Sequence, residues 1–580
     1  MSSAVQAPAL PRPDSGGSPS GRGGSRSWGW AALVCVGLAY ACVIQSFSWN
    51  QTSHYDLIQA LSHGSAVIDP YRDNTGDKAL FGGHYYSARA PGLALLAQPW
   101  YALLSAVDAR GLARDMAAQR GDDEIIWMIG LWGNVAPGVA LLFLVRRAAE
   151  RFEPGYGTLA AVTLGLGTLV FAMSTLLFSH VLGALLAFGA FCVLVRERDG
   201  PPRLVLLGAA GLAGGIGLTV EYPTLFAVAV LGIFALCRAR PGHVDLWGRA
   251  RRGLAFTLGV LVGVVPLAVY NQLTFASLTH VAYADIAHNH TGFFGIRAPS
   301  AVTAITLLLD SRGLLVLAPV LVMGAVGVGL SLRGPRRAEA RVIAAVALLY
   351  LVYNSGYFLP FGGGAPGARF LTTAVPFLAL GLAPAFRRLP GPTVALAAAS
   401  IVVYVLATIT HPLVGYETET TVWMRLAGQA SFQPTLASAF GVGRGWTAVV
   451  PVLVFVVAAV ALALAGTRGL EVGWRALVGG LLALAGWGLW AALAPAGLGI
   501  DHAALAQISA AGDASALHKP FPGHPLTALV ELAGGVGLAA LLGARLVSWV
   551  HQRRARSRPG GSALLRVNGA SRRSPQLSRR

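Results

Sequence analysis

Long apolar runs recur along the whole chain, and short polar or arginine-rich segments separate them. Each run is about as long as the 17–25 residues that cross a bilayer as one helix. The runs lie at 28–47, 125–145, 157–176, 178–195, 204–220, 222–238, 253–271, 313–332, 341–358, 371–386, 392–410, 447–465, 474–494 and 526–549. This pattern predicts an all-α polytopic membrane protein with about 14 transmembrane helices. The polar segment after the first span predicts a large outer loop that carries amphipathic juxtamembrane helices.

Composition supports the membrane assignment and excludes several other classes of protein. Apolar residues make up 55% of the 580 residues, charged residues make up 12%, and the mean hydropathy is +0.60. A soluble chain usually carries about 25% charged residues, so a soluble enzyme, a disordered chain and a fibre are excluded. The net charge of +19 indicates membrane orientation rather than nucleic-acid binding, because of where the arginines lie. The four cysteines lie within apolar runs without metal-ligand spacing, which argues against disulfides and zinc.

Arginine clusters assign a side of the membrane to each loop, because cytoplasmic loops carry an excess of Lys and Arg. The clusters are Arg146/Arg147/Arg151, Arg196/Arg198/Arg203, Arg249/Arg251/Arg252, Arg333/Arg336/Arg337, Arg387/Arg388 and Arg468/Arg475. They predict a multi-pass protein of the plasma (inner) membrane, and an even number of spans places both termini in the cytoplasm. The apolar run 91–107 is assigned to the outer face, because a further span there would invert every later loop.

The same pattern divides the chain into four parts. Residues 1–27, rich in Pro, Ser and Gly, predict a disordered cytoplasmic tail, and residues 551–580 predict a basic cytoplasmic tail. Residues 28–390 are the predicted catalytic module with the outer loop 48–124, and residues 391–550 add C-terminal transmembrane helices. The inner loops are too short for a soluble domain, so we expect any chemistry on the outer side.

Polar and aromatic residues crowd the outer loop just after the first span. It contains Asn50-Gln-Thr-Ser-His54-Tyr-Asp56, then Thr75-Gly76-Asp77-Lys78, and then Gly83-His84-Tyr85-Tyr86-Ser87-Ala88-Arg89-Ala90-Pro91-Gly92-Leu93. An acid shortly after the first span, followed by two tyrosines and a basic residue before a proline, resembles the first outer loop of GT-C superfamily membrane glycosyltransferases. Within that superfamily the loop is similar to those of protein O-mannosyltransferases and lipid A aminoarabinose transferases.

The resemblance implies an inverting transfer of a sugar from a polyprenyl-phosphate donor to an acceptor hydroxyl on the outer face. It also implies a general base in the first loop. Asp56 is the best match, and Asp77 is its competitor because Leu57 rather than a second acid follows Asp56. Transfer to a hydroxyl requires a carboxylate near the nucleophile and cations near the leaving phosphate, which agrees with this assignment. The alternative role for Asp56 is a cap on the helix through 57–61.

Two arginines are predicted to bind the donor phosphate. Arg89 takes the place of the family's basic residue before the proline, and its alternative role is to reach the lipid headgroups from the interface. Arg369 follows the turn Phe361-Gly-Gly-Gly-Ala-Pro-Gly367, whose backbone N–H groups can face an anion. Its alternative role is pairing with a headgroup. Lys78 and His84 are secondary candidates for the same positive cluster.

Further polar residues are candidate substrate contacts. They are His54, His84, Tyr85, Tyr86 and Glu221. Glu221 lies at an outer helix turn, and the open possibilities are acceptor binding, pairing with Arg89 and capping of the turn. His180, at the break between two spans, is interpreted as a packing or cavity residue.

No cofactor is firmly predicted, and a divalent metal is disfavoured. Asp285, His288 and His290 lie close in sequence, but the two histidines do not share a helix face. The predicted partners are the bilayer, a polyprenyl-phosphate sugar and a glycan, lipid or protein acceptor in a bacterial cell envelope, without nucleic acid. Two other functions stay open: a transporter or flippase of a lipid-linked sugar, which requires ionisable residues deep in several spans, and an inactive assembly factor of the same fold.

Overall fold

The computed structural model describes residues 20–112, 121–237, 246–286, 294–414, 422–467, 469–494 and 527–556. The fold is mostly helical, at 73% of residues. Most of the two predicted cytoplasmic tails lies outside the described residues, as do His288 and His290.

In the first half of the chain, a polar segment that contains a β-hairpin lies between two apolar helical regions. Its elements are α1 (Ser20–Ala41), α2 (Trp49–Ser62), a 3-10 turn (Asp69–Tyr71), β1 (Lys78–Phe81), β2 (His84–Ser87), α3 (Gly92–Ala106), α4 (Gly121–Gly130), a π turn (Leu131–Val135), α5 (Ala136–Phe152), α6 (Gly157–Leu166), α7 (Leu169–Thr175), α8 (His180–Asp199), α9 (Leu204–Val220) and α10 (Thr224–Leu236). Strands β1 and β2 pair antiparallel, with Lys78 opposite Ser87 and Phe81 opposite His84.

The second half adds long membrane helices and a glycine-rich turn. Its elements are α11 (Leu246–Phe275), a 3-10 turn (Ala282–Asp285), α12 (Ala301–Leu309), α13 (Leu314–Leu317), α14 (Val320–Ser331), α15 (Arg337–Ser355), a 3-10 turn (Arg369–Leu371), α16 (Val375–Ala379), α17 (Leu382–Arg388), α18 (Pro390–Thr410), α19 (Val422–Gly428), α20 (Leu436–Ala439), α21 (Trp446–Ala465), α22 (Trp474–Leu493) and α23 (Thr527–Arg556). The glycine-rich turn lies between α15 and α16.

The predicted number of transmembrane helices is not confirmed. Within the described residues, eight helices are long and apolar enough to cross a membrane, or up to ten if each of two bent pairs is one span. The bends are 62° between α6 and α7 and 96° between α12–α13 and α14. Helix α10 has 13 residues and rises only about 20 Å, whereas a bilayer core is about 30 Å thick. The predicted span 371–386 is divided between α16 and α17.

Helix α2 is not an amphipathic surface helix of the kind that the sequence predicted for the outer loop. Its eleven consecutive residues 50–60 are all buried, so protein surrounds this helix on every side. Seven of these residues carry polar side chains. Helix α3 is different, because it buries Leu93 and Tyr101 but exposes Leu96 and Leu103. Burial of polar groups costs free energy unless they form hydrogen bonds, so the polar side chains of α2 require partners within the protein or in a ligand.

Helices α9 and α11 approach until their backbones touch, in a contact that we call the glycine seam. A Cβ at Gly211 would lie only 2.0 Å from the carbonyl oxygen of Phe256. Small residues permit such an approach between membrane helices. At the end of α9, Thr219 Oγ1 donates a hydrogen bond to the Gly263 carbonyl at 3.1 Å. The seam therefore holds the end of α9, and Glu221 is the next residue after that end.

The helices after residue 390 share a core with those before it. One buried apolar cluster extends from Ala32 in α1 to Leu541 in α23. The backbone N–H of Ile44 donates to the Pro434 carbonyl at 2.8 Å, which joins the end of α1 to the segment before α20. The division at residue 390 is therefore not a gap in packing, and it stays a prediction about function.

Part of the predicted cytoplasmic arginine cluster has a structural role. Arg252 is 6% exposed, and its guanidinium donates to both carboxylate oxygens of Glu197 at 2.7 Å. Such a bidentate pair is strong because its geometry matches the carboxylate. Arg252 therefore joins α11 to the end of α8 rather than facing lipid headgroups.

Candidate active site

The open end of the hairpin brings two charged residues of the outer segment together. Asp77 immediately precedes β1, Arg89 follows β2, and the Ala88 N–H donates to the Asp77 carbonyl at 3.2 Å. Ser53 of α2 donates its hydroxyl to the same carbonyl at 2.6 Å, and its Oγ lies 2.8 Å from that of Ser87. The buried helix α2 thus anchors the end of the hairpin that carries both charges.

Arg89 is a largely buried cation with two partners. Its guanidinium forms an ion pair with the Asp77 carboxylate, and Nη1 donates to the Tyr283 hydroxyl at 3.1 Å. Burial acts to lower the pKa of Arg89, but the Asp77 carboxylate raises it, and the net pKa lies above the ordinary value. Arg89 therefore stays charged in the fold.

The glycine-rich turn 361–367 leads directly to Arg369. Gly362 and Gly363 have φ of +78° and +83°, a conformation that strains residues with a side chain. A Cβ at Gly362 would also lie 2.5 Å from Arg369 Nε. Arg312 Nη2 donates to three backbone carbonyl oxygens in and beside this turn at 2.8–3.2 Å. Hydrogen bonds from Arg312 thus fix the backbone of the turn, and its glycines leave space for the Arg369 side chain.

Arg369 is a buried cation without a carboxylate partner in the described part of the chain. Its residue exposure is 7%, Nε has no hydrogen-bond partner there, and Nη1 donates to the Gly364 carbonyl at 3.4 Å. Its Cζ lies 5.3 Å from the Phe178 ring and 5.4 Å from the Phe370 ring. Burial and then the charge of Arg89 lower the pKa of Arg369 to about 10, so it is protonated at neutral pH.

A cavity of about 500 Å³ has Arg89 in its wall. Arg369 does not line it but lies behind Phe370, which does. Its polar wall contains Asn50, Arg89, His180, Glu221 and Tyr283, and the rest of its wall is mainly aromatic and aliphatic. This volume lies within the range of about 300–1,000 Å³ that is usual for small-molecule sites. The arrangement offers an apolar space with positive charge at one part of its wall.

Glu221 pairs with a histidine rather than with the arginine that the sequence suggested. His180 Nδ1 lies 2.6 Å from Glu221 Oε1, and both side chains are more than nine-tenths buried. A Cβ at Gly183 would lie 2.7 Å from Glu221 Oε2, so this glycine makes room for the carboxylate. The alternative in which Glu221 pairs with Arg89 is wrong, because Arg89 is paired with Asp77.

Asp56 lies within α2 and not at its start. The helix begins at Trp49, so the interpretation of Asp56 as a helix cap is wrong. The Asp56 side chain is fully buried, and Asn74 Nδ2 donates to its Oδ1 at 3.2 Å. Asp56 is not in the cavity wall. Of the two predicted bases, the structure brings Asp77 and not Asp56 to Arg89.

His54 lies on the same buried helix with no partner for its ring. It is 1% exposed, and neither ring nitrogen has a hydrogen-bond partner among the described residues. Burial, and then the charges of Arg89 and His180, lower the pKa of His54 to about 3. The imidazole is therefore neutral at physiological pH. It lies close enough to Arg89 and His180 for them to lower its pKa.

Lys78, Tyr85 and Tyr86 lie on the body of the hairpin and not at the cavity. Lys78 Nζ donates to the Arg72 carbonyl and lies 5.2 Å from the Tyr85 ring. Tyr86 is buried and its ring packs against Phe275, with 5.3 Å between ring centroids. The expected positive cluster with Arg89 therefore does not include Lys78, because its contacts hold it along the hairpin.

His84 is also outside the expected cluster. Its Nδ1 lies 2.7 Å from the Asp69 carboxylate, and more than half of the His84 side chain is exposed. The hydrogen bond from His84, and then that from the Tyr85 N–H, lower the pKa of Asp69. His84 is satisfied by a solvated pair on the outside of the hairpin.

Several residues of this site did not stand out in the sequence. Arg312 is one, although an arginine between two apolar runs is the same signal that drew attention to Arg369. Asn50 is a second, because only the first turn of α2 faces the cavity wall. Tyr283 is a third, since its contact with Arg89 depends on a fold that joins positions 194 residues apart.

Of the three residues weighed in the sequence as metal ligands, only Asp285 lies within the described residues. Asp285 Oδ2 lies 2.6 Å from His280 Nε2, while the two other predicted members lie outside the described residues. In the described ranges, no group of three or more His, Cys, Asp or Glu side chains is arranged to hold a metal ion. The prediction that a metal is disfavoured stays a prediction.

Comparison with protein-family models and with curated proteins gives no match. Among solved structures the chain is similar to ArnT from Cupriavidus metallidurans bound to undecaprenyl phosphate. That similarity has a TM-score of 0.46 and 15% identity, and it covers 82% of this chain and 81% of ArnT.

The chain is also similar to two longer proteins. The arabinosyltransferase EmbB from Mycobacterium smegmatis gives a TM-score of 0.41 at 14% identity, covering 94% of this chain and 44% of EmbB. The oligosaccharyltransferase from Archaeoglobus fulgidus gives 0.37 at 13% identity, covering 76% of this chain and 56% of that protein. These structural neighbours are GT-C glycosyltransferases, the superfamily that the outer-loop residues predicted.

Proposed function

We propose that this protein is an inverting membrane glycosyltransferase. In this proposal it moves a sugar from a polyprenyl-phosphate donor to an acceptor hydroxyl at the outer face of the plasma membrane. The cavity of about 500 Å³ that Arg89 lines holds the sugar. The guanidiniums of Arg89 and of Arg369, which packs against Phe370 of the cavity wall, bind the phosphate. The lipid itself supplies the activated leaving group, so the reaction requires no nucleotide.

The observation that carries the proposal is the setting of Arg369. A buried charge without a counter-ion costs several kcal/mol of free energy, and an anionic ligand removes that cost. Asp77 serves Arg89 in this way, whereas Arg369 has no carboxylate within ion-pair distance among the described residues. A guanidinium fork matches phosphate oxygens, and an isoprenoid phosphate also fits the apolar wall around Phe370.

The charge of the leaving group explains why two arginines assist the reaction. The donor phosphodiester carries one negative charge, and the released phosphomonoester carries more. Arg89 and Arg369 would therefore stabilise the transition state more than the bound donor, which is the requirement for catalysis. Because both are held in place before the donor binds, little reorganisation is needed.

The sequence predicts Asp56 or Asp77 as the base on the acceptor hydroxyl. Asp77 is better placed of the two, because it contacts Arg89 at the cavity wall while Asp56 contacts Asn74. Asp77 is also the counter-ion of Arg89. A loss of turnover in Asp77→Asn therefore has two sources, which donor-binding measurements separate.

The test is glycosyl transfer by protein reconstituted in liposomes with a series of radiolabelled undecaprenyl-phosphate sugars. Arg369→Ala is expected to lower turnover by about a hundredfold or more, as removal of a donor to a developing oxyanion does. It should also weaken binding of labelled undecaprenyl phosphate. Arg425→Ala is the matched control, because Arg425 is exposed on α19, outside the cavity wall.

Other outcomes would redirect the proposal. Movement of lipid-linked sugar across the bilayer without product would favour a transporter. Neither movement nor product with any donor would favour an assembly factor. A protease-sensitive tag at each terminus, examined in oriented vesicles, tests the proposed cytoplasmic location of both ends.

A further inference from the structure

Arg312 is a buried arginine that the proposed reaction does not use. It lies between α12 and α13, is 7% exposed and is not in the cavity wall. Its Nη2 donates to the carbonyl oxygens of Gly363 at 3.2 Å, Ala365 at 3.0 Å and Val414 at 2.8 Å. Its Cζ also lies 5.1 Å from the centre of the Phe361 ring. One guanidinium thus joins the glycine-rich turn to the chain just after α18.

Helix α18 also holds the glycine-rich turn. Tyr404 of this helix is fully buried, and its hydroxyl donates to the Pro366 carbonyl at 3.2 Å. The Ala365 N–H donates to the Val414 carbonyl, just beyond the end of α18, at 3.1 Å. Helix α18 is the first helix after residue 390, so the C-terminal helices take part in fixing this turn.

The position of the turn sets the position of Arg369. Gly367, two residues before Arg369, has φ of +115°, a conformation that strains residues with a side chain. The Arg369 side chain lies back against the turn, because its Nη1 donates to the Gly364 carbonyl at 3.4 Å and a Cβ at Gly362 would lie 2.5 Å from its Nε. The Phe178 ring lies 5.3 Å from the same guanidinium. A shift of the turn would therefore displace this charge.

An arginine suits this task better than a neutral donor. Hydrogen bonds from a charged donor are roughly twice as strong as those between neutral groups. The planar guanidinium presents its N–H groups in a rigid arrangement and stays charged at physiological pH. Carbonyl oxygens in a largely buried turn need donors, and without Arg312 the Gly363 carbonyl would lose its described donor. The loss of Arg312 should therefore loosen the turn rather than remove a ligand of the phosphate.

We propose that Arg312 is a positioning residue for donor binding, which fixes the glycine-rich turn so that the turn holds the Arg369 guanidinium in place for the phosphate. This inference rests on the proposed function, in which Arg369 binds the donor phosphate. A charge that is already in place needs little reorganisation when its ligand binds. Misplacement of a binding group by about 1 Å can lower a rate by about a hundredfold. Arg312 therefore acts through Arg369 and touches neither the sugar nor the phosphate.

A double-mutant cycle tests this dependence. Arg312→Ala is expected to weaken binding of labelled undecaprenyl phosphate by about tenfold, and to lower single-turnover transfer in liposomes by about tenfold or more. In the Arg369→Ala background the same substitution should change both by less than about twofold, because the residue through which Arg312 acts is absent. A residue that only stabilises the fold gives equal losses in the two backgrounds.

Arg252→Ala is the matched control for the loss of a buried guanidinium. Arg252 is 6% exposed, and its bidentate partner Glu197 lies in α8, apart from the glycine-rich turn. The variant should lower the unfolding temperature but keep undecaprenyl-phosphate binding within about twofold of wild type. A loss of binding in Arg252→Ala equal to that in Arg312→Ala would overturn the inference, because the effect would then not depend on the turn.

Tyr404→Phe gives a milder change at the same turn. It keeps the ring and removes only the hydrogen bond to the Pro366 carbonyl. Binding of undecaprenyl phosphate should weaken by about threefold, again only where Arg369 is present. This variant decides the inference if Arg312→Ala does not fold.

The results separate this inference from the proposed function. A loss in Arg312→Ala that disappears in the Arg369→Ala background supports the inference. A loss that multiplies with that of Arg369→Ala overturns it, as does binding and transfer at the wild-type level in Arg312→Ala, and the glycosyltransferase proposal then stands. Wild-type binding and transfer in Arg369→Ala would overturn the phosphate site and this inference with it. No transfer by wild type from any donor overturns the proposed function itself.

Discussion

Two imidazole–carboxylate pairs of almost equal length lie in opposite settings in this protein. In the cavity pair, His180 Nδ1 is 2.6 Å from Glu221, and the side chains are 6% and 8% exposed. In the hairpin pair, His84 Nδ1 is 2.7 Å from Asp69, and the side chains are 57% and 33% exposed. The distance alone therefore does not distinguish a functional site from a surface contact.

The two pairs differ in whether the polar atoms outside the His–carboxylate contact have hydrogen-bond partners of their own. On the hairpin, the second oxygen of Asp69 accepts the Tyr85 N–H at 2.6 Å, and water reaches both side chains. In the cavity pair, one atom of each residue is buried without a partner in the described structure. A buried polar group is costly without a hydrogen bond, so the cavity pair keeps two unsatisfied atoms whereas the hairpin pair is complete.

The largest expected difference is between Arg89, a cation in the cavity wall, and Lys78, a cation on the hairpin. Arg89→Ala should lower glycosyl transfer by about a hundredfold or more, because it removes a guanidinium from the cavity wall. Lys78→Ala should stay within about threefold, since the described contacts of the Lys78 ammonium are with the Arg72 carbonyl and the Tyr85 ring, and Lys78 does not line the cavity. Transfer rates and undecaprenyl-phosphate binding in liposomes measure both. A large loss of transfer in Lys78→Ala would show that the hairpin residues are part of the active site.

A smaller difference is expected between the two predicted acids. Asp77→Asn should lower turnover by about tenfold and weaken donor binding, because Arg89 loses its counter-ion. Asp56→Asn should change turnover by less than about threefold and act mainly on stability, since Asp56 is buried against Asn74. Transfer and thermal unfolding of the same preparations measure both effects. If Asp56→Asn alone abolishes transfer in a folded protein, Asp56 and not Asp77 is the base.

The position of the cavity carboxylate can be tested without removing it. A Cβ at Gly183 would lie 2.7 Å from Glu221 Oε2, so Gly183→Ala should displace the carboxylate and lower turnover by about five- to tenfold. Gly189→Ala on the same helix is the control, because its nearest contact would be 3.8 Å, an ordinary distance. Equal rates for the two variants would show that the pair tolerates displacement.

The smallest effect is a pH dependence of stability from His54. Its pKa of about 3 in the fold lies below the ordinary value of about 6.5, so only the unfolded chain binds the proton between these values. Stability should therefore fall as pH decreases below about 6.5, by up to about 1.4 kcal/mol per pH unit. His54→Gln should reduce the loss of unfolding temperature between pH 7.5 and about pH 5, whereas His63→Gln should not. An unchanged pH dependence in His54→Gln would place His54 in contact with solvent.

The sequence predicted where helices form but not the number of membrane spans, and it predicted the site only in part. Every predicted span contains helix in the structure, because hydropathy is a local property of 20 or so residues. Arg89 and Arg369 were predicted to act together, and the structure places them close enough for one to lower the pKa of the other. That proximity was accessible because both residues were expected to bind the same donor phosphate.

The errors concern contacts that no local pattern contains. The pairing of His180 with Glu221 joins residues 41 positions apart through the packing of two helices. Lys78 and His84 are close to Arg89 in sequence, but the register of the hairpin places their contacts elsewhere. The outer loop was expected to carry amphipathic juxtamembrane helices, and only the fold reveals that protein covers α2 on all sides.

The glycine seam has a consequence for tracing divergent relatives of this protein. Backbone contact between α9 and α11 leaves no room for a side chain at Gly211, Gly215, Gly259 or Gly263. Two glycine pairs spaced by four residues, on helices about 48 residues apart, form a signature independent of substrate. Lineages that change the sugar or acceptor can replace cavity residues one at a time, but a change in the seam requires compensation on both helices. Ancestry should therefore persist longest in glycines that touch no ligand.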